Sequence, residues 1–293
     1  MKQRIPAFLK PGDLIGLSAT ARFATQEIID VAKKHIEEAG FRVHIEPDIL
    51  LRKGQVAGTV VQRIESFNRL IHHKEIKAIW NVRGGYGSAN IVDAVDWLSL
   101  KKQPKWLIGF SDFTTFLLHA YQKGIPAIHA AMPISFENTH QKQINDTFQV
   151  LAHGPKSLIV PEESIPFSGT LLGGNLSVIS SLYGTPSLPS LEGAVLILED
   201  LDEYHYHLDR MLLSLKRQGA FNGLKGVLLG QFSDIHDHDI PWGAAVDKTL
   251  RKYFDQLHIP VLTNLPFGHT LEQFPLVIGS NARLQGNQID FTL

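Results

Sequence analysis

The chain has 293 residues, 44% of them hydrophobic and 19% charged, ordinary globular usage that excludes disordered and fibrous classes. Its formal net charge of −1 gives no electrostatic reason to bind nucleic acid or an anionic membrane. It has no cysteine, which removes disulfides, thiol catalysis and thiolate metal sites together and leaves oxygen or nitrogen as the only covalent nucleophile. Pro6, Lys10, Pro11 and Asp13 interrupt the N-terminal stretch, so no signal peptide is expected there. No window approaches the roughly 18 apolar residues of a membrane helix, and a cytoplasmic location is the expectation.

In chain order, Asp13 to Ser18 is strand-like, and Thr25 to Ala39 has apolar residues at helical spacing with Gly40 as its C′ glycine. FRVHIE begins the next strand. A helix follows around Val61 to His72, then a strand from Ile76 to Val82, a glycine turn and a helix from Ala89. The strand Trp106 to Phe110 runs into an amphipathic helix after Ser111. Such alternation predicts βαβ units and a parallel sheet. From Gln141 to Ser168 the rhythm breaks at GPKS, PEES and IPFSG, which reads as a linker. The glycine segment GTLLGGN, a strand AVLILED, a helix over Tyr206 to Arg217, a strand GVLLGQF and a helix around Gly243 to Gln256 complete a mixed α/β half. The predicted class is α/β: an N-terminal parallel-sheet domain over 1–150, a linker over 151–168 and a smaller mixed α/β domain over 169–293.

Several residues could carry chemistry. Ser111 in GFSD follows a strand and opens a helix, where the next backbone N–H can face a developing oxyanion; the same residue could equally be a helix N-cap. The motif is not G-x-S-x-G, because residue 113 is Phe. The stretch Asn81-Val-Arg83-Gly84-Gly85-Tyr86-Gly87-Ser88 lies between a strand and a helix, where free N–H groups form an anion site, although a tight structural turn fits it as well. Glu199 and Asp200 close the apolar run AVLIL at a strand end, where α/β sheets gather ligand sites; Asp200 or Glu199 could also simply pair with Arg210. His269 sits on a glycine-bearing turn after an apolar stretch. The Asp234, His236, His238, Asp239 cluster has metal-like composition, yet alternating His and Asp in a loop are commonly only polar surface.

Taken together, KPGDLIGLSA, VRGGYGSANIVDAVDW, LIGFSDFTTF, IPAIHAAMP, GTLLGGNLSVISSLYGTP, ILEDLDEYHYHLDRMLLSL and PVLTNLPFGHTLEQFPLVIGSNARL resemble the LD-carboxypeptidase (muramoyltetrapeptide carboxypeptidase) family of serine peptidases, in order and over nearly the whole chain. The resemblance implies a nucleophile at Ser111, a glutamate at Glu199 and a histidine at His269, meeting in a cleft between the two domains. It implies oxyanion donors at the amides of Asp112 and Gly85, with Arg83 and Gly84 contacting substrate and Arg22 or Arg210 as other candidates for its carboxylate. It further implies release of the terminal D-alanine from cytoplasmic murein tetrapeptide in peptidoglycan recycling, no metal or organic cofactor, and a homodimer. Two departures from the family pattern bear on substrate identity: Ser18-Ala-Thr-Ala-Arg22 replaces a Pro-Ser pair, and Ala130 stands where glycine is usual. Microcin-immunity-type relatives, which cleave peptidyl- or aminoacyl-nucleotide antibiotics with the same triad, provide an alternative substrate. A non-catalytic two-lobed binding protein using VRGGYG and GTLLGGN as anion nests is a further alternative, and a metallohydrolase built on Asp234, His236 and His238 is the last.

Overall fold

The computed structural model describes residues 3–160 and 164–293. Its first sheet collects β1 (Leu14–Ser18), β2 (Arg42–Ile45), β3 (Ile76–Asn81), β4 (Trp106–Gly109) and β5 (Ala127–His129), interleaved with α1 (Gln26–Glu38), α2 (Val60–His72), α3 (Trp97–Lys102) and α4 (Thr114–Gln122). These five strands are mutually parallel, with Leu17 opposite Trp80 and Ile108 opposite Ile128. Strands covered on both faces read as unbroken apolar runs, and all four residues of β4 are buried. On α1 and α2, Ile28, Ala32 and Ile36 and then Phe67, Leu70 and Ile71 form the buried stripes. Thr59 starts α2 through a reciprocal capping box with Gln62.

After α5 (Gln141–His153) the chain builds a second sheet. It holds β6 (Leu158–Ile159), β7 (Phe167–Asn175), β8 (Ala194–Leu201), β9 (Gly226–Ser233) and β10 (Val261–Leu262), with α6 (Leu176–Leu182), α7 (His205–Arg217) and α8 (Val246–Arg251) between them. β7 to β10 are parallel, whereas the closing hairpin β12 (Asn281–Gln285) and β13 (Gln288–Thr292) and the short β6 are antiparallel. The strand between them in sequence, β11 (Leu276–Ile278), leaves this sheet and pairs antiparallel with β5. The orders are therefore β11-β5-β4-β3-β1-β2 and β10-β9-β8-β7-β12-β13-β6.

The sheets share a core. Helix α4 is wedged between them, and every residue from Thr114 to Ala120 is buried. It is thus enclosed all round, with Thr114, Thr115 and His119 buried among its apolar residues, and is not the one-sided amphipathic helix that its sequence suggested. One continuous apolar cluster runs from Leu107, Phe113 and Phe116 to Leu172, Leu198 and Phe267.

Three other expectations change. The helix expected from Ala89 is two 3-10 turns, Ser88–Asn90 and Val92–Ala94, and regular helix begins only at Trp97, where the Asp96 carboxylate caps the Ser99 N–H. The segment read as irregular from Gln141 begins with the 13-residue helix α5, which buries Ile144, Phe148 and Leu151. Of the proposed linker, residues 151–153 end this helix, 158–159 form β6 and 167–168 open β7, while Pro161, Glu162 and Glu163 lie outside the described residues. GTLLGGN is strand rather than nest: Thr170 to Asn175 pair in register with Ala194 to Glu199.

Candidate active site

Ser111 leaves the C-terminal end of β4 with φ +59°, a left-handed conformation that costs a non-glycine residue about 1–3 kcal/mol and is found where function demands it. Its hydroxyl caps no helix: Phe110 is the N-cap of the following 3-10 turn and Phe113 that of α4, neither with a side-chain cap bond. Gly84 makes room for this elbow, because a Cβ there would lie 3.1 Å from Ser111 Cβ and 3.2 Å from its Oγ. Close approach, not turn propensity, is what requires glycine at this position.

The glycine turn is braced from several sides. Asp112 accepts the Ser88 N–H at 2.8 Å, and Ser88 Oγ lies 2.8 Å from Thr20 Oγ1. The Arg63 guanidinium donates to Thr20 O at 2.6 Å and Gly87 O at 2.8 Å. Asn81 accepts from Thr20 N–H at 3.1 Å and donates to Arg83 O at 2.7 Å. Burial pushes the Asp112 carboxyl up despite its bonds to Ser88 and the charge of Arg63. The chain's departure from the family pattern after β1 is therefore part of this brace. The sequence reading missed Arg63, which carries no local motif, and gave Thr20 and Asn81 no individual role within the stretches that contain them.

Glu199 and His269 are in contact across 70 positions of sequence, His269 Nδ1 lying 2.7 Å from Glu199 Oε2. Glu199 is completely buried at the end of β8. Gly268 brings the two together: at φ +113° its α-carbon faces Glu199, and a Cβ would stand 3.0 Å from Glu199 Cβ. Burial alone would raise the Glu199 carboxyl, but the His269 charge and hydrogen bond outweigh it and hold it below its ordinary value. Burial alone would lower His269, and Glu199 reverses this, so the imidazole is held above its ordinary value. The two directions agree and describe one ion pair. Next to it, burial and then the Glu199 charge push Asp200 up to about 7, against donors from Asn175 Nδ2 at 2.8 Å and Ser177 N–H at 2.9 Å.

The nucleophile candidate and the ion pair come from different sheets, with Phe110 between them, and among the described residues Ser111 Oγ makes no hydrogen bond to His269. The Phe110 ring, one residue before Ser111, lies 4.6 Å from the His269 ring. Asn175 N–H donates to Thr114 Oγ1 at 3.1 Å, tying the end of β7 to the start of α4. The exposed edge of His269 opens on a pocket of about 440 Å³ lined by Phe110, Ser135, Asn138, Thr139 and Leu271. Among the described residues, the backbone amides of Asp112 and Gly85 donate to no other main-chain group.

The arginine candidates separate. Arg83 Nη1 donates to Phe23 O at 3.1 Å and its guanidinium sits 5.4 Å from the Phe23 ring centre; burial and then the Arg22 charge lower its pKa. Arg22 packs its aliphatic stem on Gly85, where a Cβ would meet Cγ and Cδ at 2.6 Å. Arg210 stacks over Tyr206 at 5.4 Å and lines a separate pocket on α7; it forms no ion pair with Glu199, Asp200 or Glu203 among the described residues. The Asp234–Asp239 loop follows Ser233, whose hydroxyl donates to His269 O at 3.1 Å. His236 Nε2 lies 2.6 Å from Asp202 Oδ1 and His238 stacks on Tyr204 at 4.7 Å. Among the described residues no three His, Cys, Asp or Glu side chains gather as a metal site.

Known proteins share this architecture. The LD-carboxypeptidase N-terminal domain profile matches residues 15–130 and the LD-carboxypeptidase C-terminal domain profile matches residues 168–284. The chain is 28% identical to the murein tetrapeptide carboxypeptidase of Pseudomonas aeruginosa over 94% of each protein. It is 30% identical to a relative from Synechocystis sp. over 96% of this chain and 94% of that one. The crystal structure of muramoyltetrapeptide carboxypeptidase from Oxalobacter formigenes superposes with a TM-score of 0.86 at 26% identity, covering 96% of this chain and 99% of that one. The microcin C7 self-immunity protein MccF, in complex with aspartyl sulfamoyl adenosine, has the same fold, with a TM-score of 0.89 at 21% identity over 98% of each chain. With both halves matched in order and the two-sheet architecture shared throughout, the chain belongs to the LD-carboxypeptidase family, whose fold extends to the microcin-immunity proteins.

Proposed function

We propose that the protein is a serine carboxypeptidase that releases the terminal D-alanine of murein tetrapeptide through a Ser111–His269–Glu199 triad. The observation that carries this reading is the buried 2.7 Å Glu199–His269 pair, whose imidazole touches the residue preceding a serine with φ +59°. With Nδ1 held by Glu199, Nε2 is the nitrogen that takes the Ser111 proton. Ser111 Oγ then bonds to the carbonyl carbon, and the amides of Asp112 and Gly85 stabilise the oxyanion; one such donor is worth about 3 kcal/mol of barrier. The imidazolium returns its proton to the departing amine as the C–N bond breaks. Water, deprotonated by His269, cleaves the acyl ester and restores Ser111.

An exopeptidase must also hold a free carboxylate. Arg83 and Gly84 are the assigned contacts, and Arg22, exposed and seated on Gly85, strengthens the positive end of the turn. The structure supports this placement over Arg210, which lies on α7 against Tyr206. The enzyme is proposed to act as a cytoplasmic homodimer in peptidoglycan recycling, with no metal or organic cofactor. No helix among the described residues is long and apolar enough to cross a membrane.

Mass spectrometry of products from defined tetrapeptides tests the reading, with Ser111→Ala and an aminoacyl sulfamoyl adenylate run in parallel. Loss of the terminal residue from the tetrapeptide, abolished in Ser111→Ala, is the expected result. Cleavage confined to the adenylate would transfer the triad to the microcin-immunity substrate class. Ligand binding without turnover would favour a binding protein.

A further inference from the structure

Behind the Glu199–His269 pair lies a second imidazole that takes no part in the steps above. His129 closes β5 opposite Gly109 on β4 and Leu276 on β11, and it is completely buried. Its ring meets Phe110 at 5.8 Å and Phe267 at 6.1 Å, edge-on in both cases. Phe110 also touches the His269 ring at 4.6 Å, and Phe267 precedes the glycine whose α-carbon faces Glu199. His129 and His269 thus share Phe110, and the turn that carries Phe267 and Gly268 links His129 to the side of Glu199.

Two unmet hydrogen-bonding needs coincide there. Among the described residues, neither ring nitrogen of His129 has a partner, and neither does Glu199 Oε1. A buried donor or acceptor without a partner bears the full cost of its lost hydration, and a neutral imidazole always carries one N–H donor. Of the other groups facing this space, His269 Nδ1 is bonded to Glu199 Oε2, and the Asp200 oxygens accept from Asn175 Nδ2, Ser177 N–H and Leu201 N–H. Asn175 also acts on Glu199 as a side-chain donor that helps to hold its carboxyl down, yet it does not complete a hydrogen bond to Oε1.

We propose that His129 is a positioning residue whose ring N–H reaches Glu199 Oε1 through one enclosed water, so that the carboxylate is held by both oxygens while it orients His269. The proposal rests on the reading of Glu199 and His269 as the catalytic pair. Burial pushes His129 down to about 4, so it remains an uncharged donor at neutral pH. A cation in its place would compete with His269 for the Glu199 charge; a neutral N–H steadies the carboxylate and leaves that charge for the imidazolium.

The test uses the full chain with His129→Leu and His129→Asn, each also combined with Glu199→Gln, and reads hydrolysis of a defined tetrapeptide against pH. His129→Leu should lower kcat about 10- to 100-fold, as removal of an outer supporting partner does, with little change in KM. Its acid limb should move to higher pH, because the lost donor matters more to Glu199 when His269 is neutral than when it is charged. His129→Asn, which keeps an N–H, should recover most of the rate and the limb. In the Glu199→Gln background, His129→Leu should cost nothing further. An unchanged kcat and limb in His129→Leu, or an equal added loss in the Glu199→Gln background, would overturn the proposal. Should His129→Leu fail to fold, ¹⁵N–¹H NMR of the native protein decides. A slowly exchanging His129 N–H whose proton shift moves in Glu199→Gln is expected, and no movement overturns the assignment. This signal needs no substrate, so it is distinct from failure of the peptidase reading, which would show as an inert native protein.

Discussion

Replacing Glu199 with Gln preserves the side-chain volume and removes the charge, which makes it the sharpest probe of the buried pair. In the native protein the Glu199 charge and hydrogen bond overcome the burial that would otherwise lower His269, and hold the imidazole above its ordinary 6.5. Without that charge burial prevails, and His269 in Glu199→Gln should titrate below 6.5. Asp200, raised to about 7 by burial and then by Glu199, should titrate lower in the same variant. The stability consequence has a defined window. Glu199 is held below its ordinary 4.5, so its contribution is complete above 4.5 and is lost as pH falls through the native value. His269 is held above 6.5, so its contribution is complete below 6.5 and is lost as pH rises through the native value. The pair therefore contributes most between pH 4.5 and 6.5. Breaking a buried pair by removing one partner costs about 3–5 kcal/mol; glutamine can still accept the Nδ1–H, which puts the expected loss at about 3 kcal/mol. Activity should fall about 10,000-fold, as when a triad carboxylate becomes an amide. NMR titration of the His269 ring and denaturant unfolding at several pH values supply the measurements. An identical His269 midpoint in both proteins would refute the reasoning, because it would mean that Glu199 does not set the state of the imidazole.

Two further substitutions probe the elbow. Ser111→Gly should unfold at higher denaturant than Ser111→Ala, by about 1 kcal/mol, because only glycine adopts a positive φ freely; equal stability would show that the +59° angle carries no strain. Gly84→Ala places a methyl 3.1 Å from Ser111 Cβ and from Met132 Cε, so it should cost about 1–3 kcal/mol of stability. Displacing the nucleophile by a fraction of this contact should lower kcat/KM by up to about 100-fold, and wild-type turnover in a folded Gly84→Ala would place Ser111 away from the reaction.

The first sheet was legible because its strands are enclosed on both faces and so read as apolar runs such as LIGLS and WLIG. The stretch after Gly87 was not. Its helical composition is overridden locally, because the Ser88 N–H is taken by Asp112 and Asp96 supplies the cap only eight residues later. Helix α5 was hidden by the glycines and prolines that follow it, although Ile144, Phe148 and Leu151 lie at helical spacing. Ser111, Glu199 and His269 each stood out as candidates locally, but only family resemblance joined them into one candidate site, since no local spacing links residues 70 positions apart. His129 was passed over because a histidine in an apolar strand looks like any buried residue until its neighbours are known.

Strand β11 has a consequence for how the molecule comes into being. Ala127, Ile128 and His129 await Ile278, Val277 and Leu276 as their lateral partners, so the open side of β5 is completed only once the chain has been made through Ile278. Unsealed strands invite association with other nascent chains, and an N-terminal half expressed alone would present this one permanently.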